Sequence, residues 1–339
     1  MRVTLLDLAR EAGVSSATVD RVLNNRQGVH PRTREIVLST ARRIGYLAEE
    51  MEAPEATARP IRLAFVLPAG TNAFIEALRA QIVAQAAERP GVEVEVETID
   101  DFNAETFARR LSDLPDHFDG VGVVALDHPF VRQAMRSLTQ RGTQVVTLVS
   151  DVQGVPRVAY VGTDNRQAGR LAGYVMGRLV GPKSGAKVAF FAGFRAYRGH
   201  EEREMGFRSV LAEDFPGLRL VEPRETMDDG ERAHDIALAL LDAHPDLAGI
   251  YNSGAGNAGL ARALRERGVA GKVLLIGHEA TEENKRLVLE GVMDAVIDQN
   301  PRVEAREALN ALTSAAAGKP YTVVPPRLMI VFRENLPDD

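Results

Sequence analysis

The sequence predicts a small all-α head of three helices, followed by an α/β body built as two doubly wound parallel-sheet subdomains. In the first 47 residues, apolar side chains recur at helical spacing and are interrupted by turn residues. From residue 61 onward, short apolar strands alternate with helical stretches, as in parallel sheets covered by helices on both faces. A chain of 339 residues is long enough for two or three domains. Candidate strands number about eleven over roughly 270 residues, which favours two sheets over one.

The amino-acid composition excludes several kinds of protein. The chain has no cysteine, which excludes disulfides and thiolate metal sites. Its first residues lack the apolar core of a signal peptide, and no apolar run reaches membrane-spanning length. We therefore expect a cytoplasmic protein that does not associate with membranes and needs no metal or cofactor.

The net charge of −6 is unevenly distributed. Residues 1–47 contain eight arginines against four carboxylates, whereas the remainder contains 33 basic and 43 acidic residues. A basic head on an acidic body would confine the attraction for phosphate groups to one end of the molecule.

The head begins with two short helices joined by a tight turn. Apolar residues at i, i+3, i+4 and i+7 predict the first helix: Leu5, Leu8, Ala9 and Ala12. Gly13 can end this helix because glycine adopts positive φ without strain, and Ser15 or Ser16 can cap the next. This is the helix-turn-helix pattern. The outward face of the second helix holds Ser16, Ala17, Asp20 and Arg21. Such short polar residues and one arginine suit a helix that enters a major groove.

A third helix is predicted from Arg32 to Ile44, because Pro31 suits a first helical turn and Gly45 can end the helix. Its inner face is expected to hold Ile36, Val37, Thr40 and Ile44. The following stretch is acidic and contains Pro54 but no apolar stripe, which is typical of a linker. The predicted organisation is a head at 1–47, a linker at 48–60 and a body at 61–339.

Polar side chains follow several of the predicted strands in the body. In open α/β sheets, ligands bind outside the carboxyl ends of the strands. This rule selects the residues Asn72, Asp127, Asn252, Glu279 and Gln299. Carboxylates and amides there suit a polyol, because each can bridge neighbouring hydroxyls, and Phe74 could stack on the apolar face of a sugar. With Asp127 and Glu201, Glu279 could instead hold an amine. His128 follows the same strand as Asp127.

A competing hypothesis is a nucleotide-binding sensor or enzyme. The segment Gly254–Gly259 reads G-x-G-x-x-G between a predicted strand and a predicted helix, with Glu279 about twenty residues beyond it. Such a fingerprint usually occupies the first strand of its fold, whereas this one lies deep in the chain. Close packing near a cleft would also explain small residues at these positions. A body that binds no ligand and serves only dimerisation is a third option.

The head closely resembles the DNA-binding head of the lactose-repressor (LacI) family, with matching residues over the stretch 3–24, at Gly28 and Val29, over 32–35, and at Gly45 and Tyr46. The body is similar to the effector domain of that family, which is related to periplasmic sugar-binding proteins, over 161–173 and 276–279. The resemblance implies a non-enzymatic homodimer that binds a pseudo-palindromic operator and a small molecule in the cleft between two subdomains. The implied subdomains are 61–162 with 299–322, and 163–298 with 323–339.

The resemblance also assigns roles in the head. It implies that Ser16, Ala17 and Arg21 face base edges, with Arg21 best placed to read a guanine. Residues implied to hold phosphates are Ser15, Thr18, Asn24, Thr33 and Arg34. Simple capping and packing would also explain Ser15 and Thr18.

Three residues or segments depart from the family pattern. Asp20 stands where the family usually has serine; it could pair with Arg21 or Arg34, or accept from a cytosine amine. The segment 48–58 lacks the leucine that the family inserts into the minor groove. Glu201 stands where family members often have arginine, a role that Arg203 or Arg198 could take. The effector contacts expected overall are Asn72, Phe74, Asp127, His128, Glu201, Arg203, Asn252, Glu279 and Gln299.

Overall fold

The computed structural model describes residues 4–23, 29–43, 59–69, 72–99, 103–182 and 185–337. The chain forms two compact units, residues 1–58 and residues 59–339. The helices of the described residues are α1 Leu5–Glu11, α2 Ser16–Leu23, α3 Pro31–Arg43, α4 Ala73–Ala87, α5 Ala104–Ser112, α6 Pro129–Gln140, α7 Asn165–Val180, α8 Arg198–Asp214, α9 Gly230–Ala243, α10 Asn257–Glu266, α11 Glu282–Leu289 and α12 Pro301–Ala316. The strands are β1 Ile61–Pro68, β2 Val92–Ile99, β3 Gly120–Val123, β4 Gln144–Leu148, β5 Ala159–Val161, β6 Lys187–Ala192, β7 Arg219–Leu220, β8 Arg224–Glu225, β9 Leu247–Asn252, β10 Leu274–His278, β11 Ala295–Asp298 and β12 Met329–Val331.

The head is a three-helix unit around one small apolar core. The core contains Leu8, Ala9, Val19, Val22, Val37 and Ala41. Gly13 has φ +66°, so the turn after α1 uses the freedom of glycine. Ile36 is 43% exposed, contrary to the sequence prediction, because α3 turns Val37, Thr40 and Ala41 inward instead. With so few buried residues, the stability of this unit depends on each of them.

The N-lobe of the body is a parallel sheet in the order β2-β1-β3-β4-β5. Its central strand β1 is buried on both faces and therefore reads as a continuous apolar run, whereas the edge strand β2 alternates Val with Glu. Gly122 in β3 lets the ring of Phe65 pack against the backbone, since a Cβ there would lie 2.4 Å from that ring. Helix α12 arrives from the far end of the chain and packs against α4 and β4.

The C-lobe is a second sheet in the order β12-β11-β10-β9-β6-β7, with β8 also paired to β6. The edge strand β12 runs antiparallel to β11, so the sheet is mixed and not wholly parallel as predicted. The stretch 219–226, predicted as one strand, forms the two short strands β7 and β8. Helix α8 begins at Arg198, a full turn before the predicted Glu202, which places residues 198–201 on a helix.

The chain crosses between the lobes where strand ends meet helix starts. Thr163 lies in the crossing from β5 to α7, and Gln299 lies in the crossing from β11 to α12. The hydroxyl of Thr163 donates a hydrogen bond of 3.1 Å to Oε1 of Gln299, and both residues are buried. These two crossings are therefore tied to each other at the base of the cleft. Among the described residues, no helix is long and apolar enough to cross a bilayer.

Candidate ligand cavity and nucleic-acid interface

A cavity lies between the two lobes of the body. Its volume is about 100 Å³. Its lining residues on the N-lobe side are Pro68, Asn72, Ala73, Phe74, Ile75, Val124, Val149 and Ser150. The charged and imidazole side chains that line it come from the C-lobe: His200, Arg203, Asp228, His278, Glu279 and Glu283.

Arg203 is the central cation of the cavity and is only 4% exposed. Its Nε donates to Oδ1 of Asn165 at 2.7 Å, and one terminal nitrogen donates to the carbonyl of Ser253 at 2.8 Å. The other terminal nitrogen lies 3.5 Å from Oε1 of Gln299. A buried guanidinium needs such acceptors, because an unpaired buried charge is strongly destabilising.

Glu279 lies directly after β10 and is tied to the crossing residue Gln299, whose amide nitrogen donates to Glu279 Oε1 at 2.6 Å. The other carboxylate oxygen, Oε2, is buried without a hydrogen-bond partner among the described residues. Burial, reinforced by the nearby charge of Asp298, raises the pKa of Glu279 to about 8. The group therefore titrates near neutral pH, which is typical of side chains at functional sites.

Asp228 bridges the cleft. Its Oδ1 accepts from the backbone N–H of Ala255 at 2.8 Å, and its Oδ2 accepts from the amide of Asn72 at 3.3 Å. Asn72 belongs to the N-lobe, where its Oδ1 also caps α4 by accepting from the N–H of Phe74. A Cβ on Gly193 would lie 2.0 Å from Oδ1 of Asp228, so glycine is required there to make room for this carboxylate.

Two buried histidines line the cavity. The backbone N–H of Phe194 donates to Nδ1 of His200 at 3.0 Å, and burial lowers the pKa of His200 to about 4. Nε2 of His278 lies 2.7 Å from the hydroxyl of Tyr251, and burial lowers the pKa of His278 well below its ordinary value. Both imidazoles are therefore neutral at pH 7 and can act as hydrogen-bonding groups.

Strained backbone is concentrated around the cavity. Among the described residues, those with positive φ other than glycine are Val149, Met227, Asp228, Glu279 and Asn300. Three of these line the cavity, and the other two adjoin lining residues. Such conformations cost about 1–3 kcal/mol each and cluster at ligand sites.

Five of the nine residues expected to contact an effector line the cavity: Asn72, Phe74, Arg203, Glu279 and Gln299. The lining also includes residues that the strand-end rule missed: Asn165, His200, Asp228, Ser253 and His278. Asp228 could have been selected from the sequence, because it lies three residues past the end of β8. No signal pointed to the two histidines, because the sequence does not show that their side chains are buried.

The other four expected contacts lie outside the cavity lining. Asp127 forms an ion pair with Arg132 at 2.5 Å. His128 caps α6 through its Nδ1. Glu201 is exposed on α8.

The fourth, Asn252, is buried, and its amide nitrogen donates to the carbonyls of Gly254 and Ala255 and to Oδ1 of Asn257. It shapes the turn after β9. Asp127, His128 and Asn252 do stand at or after strand ends, as predicted, but their side chains serve local structure.

The glycines of the Gly254–Gly259 segment have packing roles. A Cβ on Gly254 would lie 2.5 Å from Asp228, and one on Gly259 would lie 1.9 Å from the carbonyl of Gly230. Gly256 has φ +91° at the start of α10. Tight packing therefore explains Gly254 and Gly259, and a left-handed backbone conformation explains Gly256, so no nucleotide is needed to account for the G-x-G-x-x-G pattern.

In the head, α2 presents an exposed polar face formed by Ser16, Ala17 and Arg21. Ser15 is the cap of this helix: its Oγ accepts from the N–H of Thr18 at 3.2 Å and lies 2.9 Å from the Thr18 hydroxyl. Thr33 and Arg34 lie half-buried in α3. Asn24 and the predicted linker residues 48–58 lie outside the described residues.

These features define a class: a helix-turn-helix head joined to a two-lobed α/β body with a ligand-sized cavity between its lobes. Comparison with known families agrees. Residues 4–49 match the family described as bacterial regulatory proteins, lacI family, and residues 63–320 match the periplasmic binding protein domain. The chain has a head that matches the lacI family, and through its body it belongs to the family of the periplasmic binding protein domain.

Several known proteins are similar to this chain. The D-ribose/D-allose-binding protein of Pseudomonas aeruginosa is 30% identical over 171 residues, and the chain spans about half the length of that relative (49% of this chain, 50% of the relative). The catabolite control protein A of Staphylococcus xylosus is 26% identical over 286 residues, 79% of each chain. Among solved structures, the glucose-galactose binding protein GanP of Geobacillus stearothermophilus has a TM-score of 0.76 at 25% identity, covering 83% of this chain and 100% of that one.

Proposed function

We propose that this chain is a ligand-responsive transcriptional regulator and not an enzyme. It acts in the cytoplasm as a repressor of genes for the catabolism of a carbohydrate or a related small molecule. The observation that carries the proposal is the combination of an exposed polar face on α2 with a cavity whose polar lining joins two lobes. A small polar effector is bound by the amides, carboxylates and guanidinium of that cavity. The family and its sugar-binding relatives support this assignment.

The mechanism follows from the two-lobed body. Gln299 contacts Thr163 in the other crossing and Arg203 and Glu279 in the cavity, so a ligand that reorganises these contacts changes the relation of the lobes. Two protomers bind the two half-sites of a palindromic operator together. One head binds weakly, so a change in dimer geometry that prevents simultaneous engagement removes most of the affinity.

The DNA-binding part is tested by footprinting the full-length protein on the region upstream of its own gene at moderate salt. A protected palindrome is the expected result, and uniform protection or none contradicts the proposal. Adding sugars and polyols to the same reaction tests the effector: at least one is expected to change the protection.

Arg21→Ala tests the base-reading role of α2. Loss of a bidentate contact to a guanine costs about 1–3 kcal/mol and relaxes discrimination at one operator position. The measurement is affinity for the operator and for single-base variants of it. Arg286→Ala, at an exposed arginine of α11 in the body, removes the same charge and should leave both quantities unchanged. Equal weakening on every sequence would instead assign Arg21 to a phosphate contact.

A further inference from the structure

The charged groups that line the cavity are predominantly acidic. Asp228 and Glu279 line it from the C-lobe, and the exposed Glu283 stands at its rim. Arg203 is the one cationic side chain among the lining residues that the structure describes, because burial keeps both histidines neutral at pH 7.

Arg203 is already engaged by the protein. Its three nitrogens face Asn165, the Ser253 carbonyl and Gln299, which are all neutral acceptors. Among the described residues, the side-chain contacts of Arg203 include no cavity carboxylate. Arg203 therefore leaves Oε2 of Glu279 without a hydrogen-bond partner among the described residues.

Three buried polar atoms of cavity-lining residues have no hydrogen-bond partner among the described residues. They are Oε2 of Glu279, Oγ of Ser253 and Nδ1 of His278. Ser253 and His278 are 1% and 2% exposed. Buried polar groups in native proteins are almost always satisfied, so these atoms point to a ligand that supplies both donors and acceptors.

The surroundings of Glu279 favour a cation at its free oxygen. Asp298 lies close enough to add negative potential, and Glu304 on α12 is fully buried with both carboxylate oxygens unpartnered among the described residues. Arg203 and the amide of Gln299 act in the opposite direction. The negative potential of Asp298 and the free position at Oε2 make this oxygen of Glu279 an acceptor suited to a charged donor.

We propose that the effector is a polyhydroxylated molecule that carries a protonated amine, of the amino-sugar class, and that its ammonium group is bound at Oε2 of Glu279. Asp228 adds to the negative potential of the cavity, and Ser253 and His278 bind hydroxyl groups. This inference rests on the proposed function only in taking the cavity as the effector site.

The test compares matched ligands on the full-length protein at pH 7 by calorimetric titration: D-glucosamine, D-galactosamine, their parent hexoses and N-acetyl-D-glucosamine. We expect the aminated sugars to bind at least tenfold more tightly than the parent hexoses, and the acetylated sugar, which keeps the nitrogen but not the charge, to bind no better than glucose. Equal or tighter binding of the uncharged sugars, or no binding of either amine, overturns the proposal.

Substitutions identify which carboxyl group binds the ammonium group of the ligand. Glu279→Gln keeps the shape and the hydrogen bond to Gln299 and should abolish the preference for amines. Asp228→Asn should reduce it by a smaller factor. Glu201→Gln, at an exposed acid on α8 outside the cavity, is the matched control and should leave all affinities unchanged. A preference that persists in Glu279→Gln assigns the amine to another group and overturns the role of Glu279.

Proton release gives an independent measurement. Because Glu279 is largely protonated at pH 7 in the free cavity, binding of an ammonium ion there should release up to one proton, measured by titration in two buffers of different ionisation enthalpy. No release with an aminated sugar contradicts the proposal. Operator footprinting without ligand checks the regulatory function separately, so the two proposals can fail independently.

Discussion

The two walls of the cavity differ in chemistry. The N-lobe wall is mainly apolar, with Phe74, Ile75, Val124 and Val149 beside the amide of Asn72. The C-lobe wall carries the guanidinium, the carboxylates and the imidazoles. An apolar wall supplies area for a sugar ring whatever its substituents, whereas fixed charges select among substituents. Affinity and selectivity can therefore be changed separately in this protein.

The largest effect is expected from the C-lobe wall, at Arg203. Arg203→Met removes the buried charge but strands the side chains of Asn165 and Gln299 and the carbonyl of Ser253, so we expect a loss of about 3–5 kcal/mol in the free energy of unfolding. Chemical denaturation measures it. Arg208→Ala, on the same helix but 48% exposed in an ion pair with Glu204, should cost less than about 1 kcal/mol. Similar losses for the two variants would show that burial of Arg203 contributes little.

An effect of comparable size is expected from a change in pH, again on the C-lobe wall. The pKa of Glu279 is raised from 4.5 to about 8 by folding, so its contribution to stability is fully present below pH 4.5 and is lost as pH rises to about 8. Across that window it lowers the free energy of unfolding by up to about 1.4 kcal/mol per pH unit.

In Glu279→Gln this component is absent, so the variant should gain stability relative to the parent as pH rises from 4.5 to 8. Denaturation at several pH values checks this expectation. The exposed Glu283→Gln is the control, which should track the parent at every pH. A constant difference between Glu279→Gln and the parent would mean that Glu279 does not titrate in this window.

The smallest effect is expected on the N-lobe wall, at Asn72. Asn72→Ala removes the cap of α4, which costs about 1 kcal/mol, and also removes the contact with Asp228 across the cleft. Asn103→Ala removes the equivalent cap of α5, far from the cavity lining. Both variants should lose similar stability, but Asn72→Ala alone should expand the body in small-angle scattering. Equal scattering from both would indicate that the Asn72–Asp228 contact does not hold the lobes together.

Much of the fold was predictable because its signals are local. Buried strands such as β1 read as continuous apolar runs, and asparagine or aspartate caps begin several helices. The antiparallel pairing of β12 was not predictable, because strand direction depends on where α12 returns the chain. The exposure of Ile36 was not predictable either. In a short helix, the spacing of apolar residues fits two neighbouring faces equally well, so it does not show which one is buried.

The cavity was predictable only in part. The strand-end rule found Glu279 and Gln299, whose positions follow from sheet topology. It also selected Asp127 and Asn252, because sequence does not reveal whether a polar side chain turns towards a neighbouring arginine or towards a turn of its own loop. His278 and Asn165 were not selected, because the sequence does not show that the end of β10 and the start of α7 line one cavity.

The strained residues around the cavity have a consequence for stability engineering. Val149 is β-branched at φ +60°, and Asp228 and Glu279 also hold left-handed conformations. Natural proteins are rarely at their stability optimum, and stabilising substitutions cost function where a site needs a strained conformation. A thermostable form of this chain is therefore most readily obtained by relaxing these positions, and such a form would be expected to respond less to its effector, because the conformations that weaken the fold are those that shape the cavity.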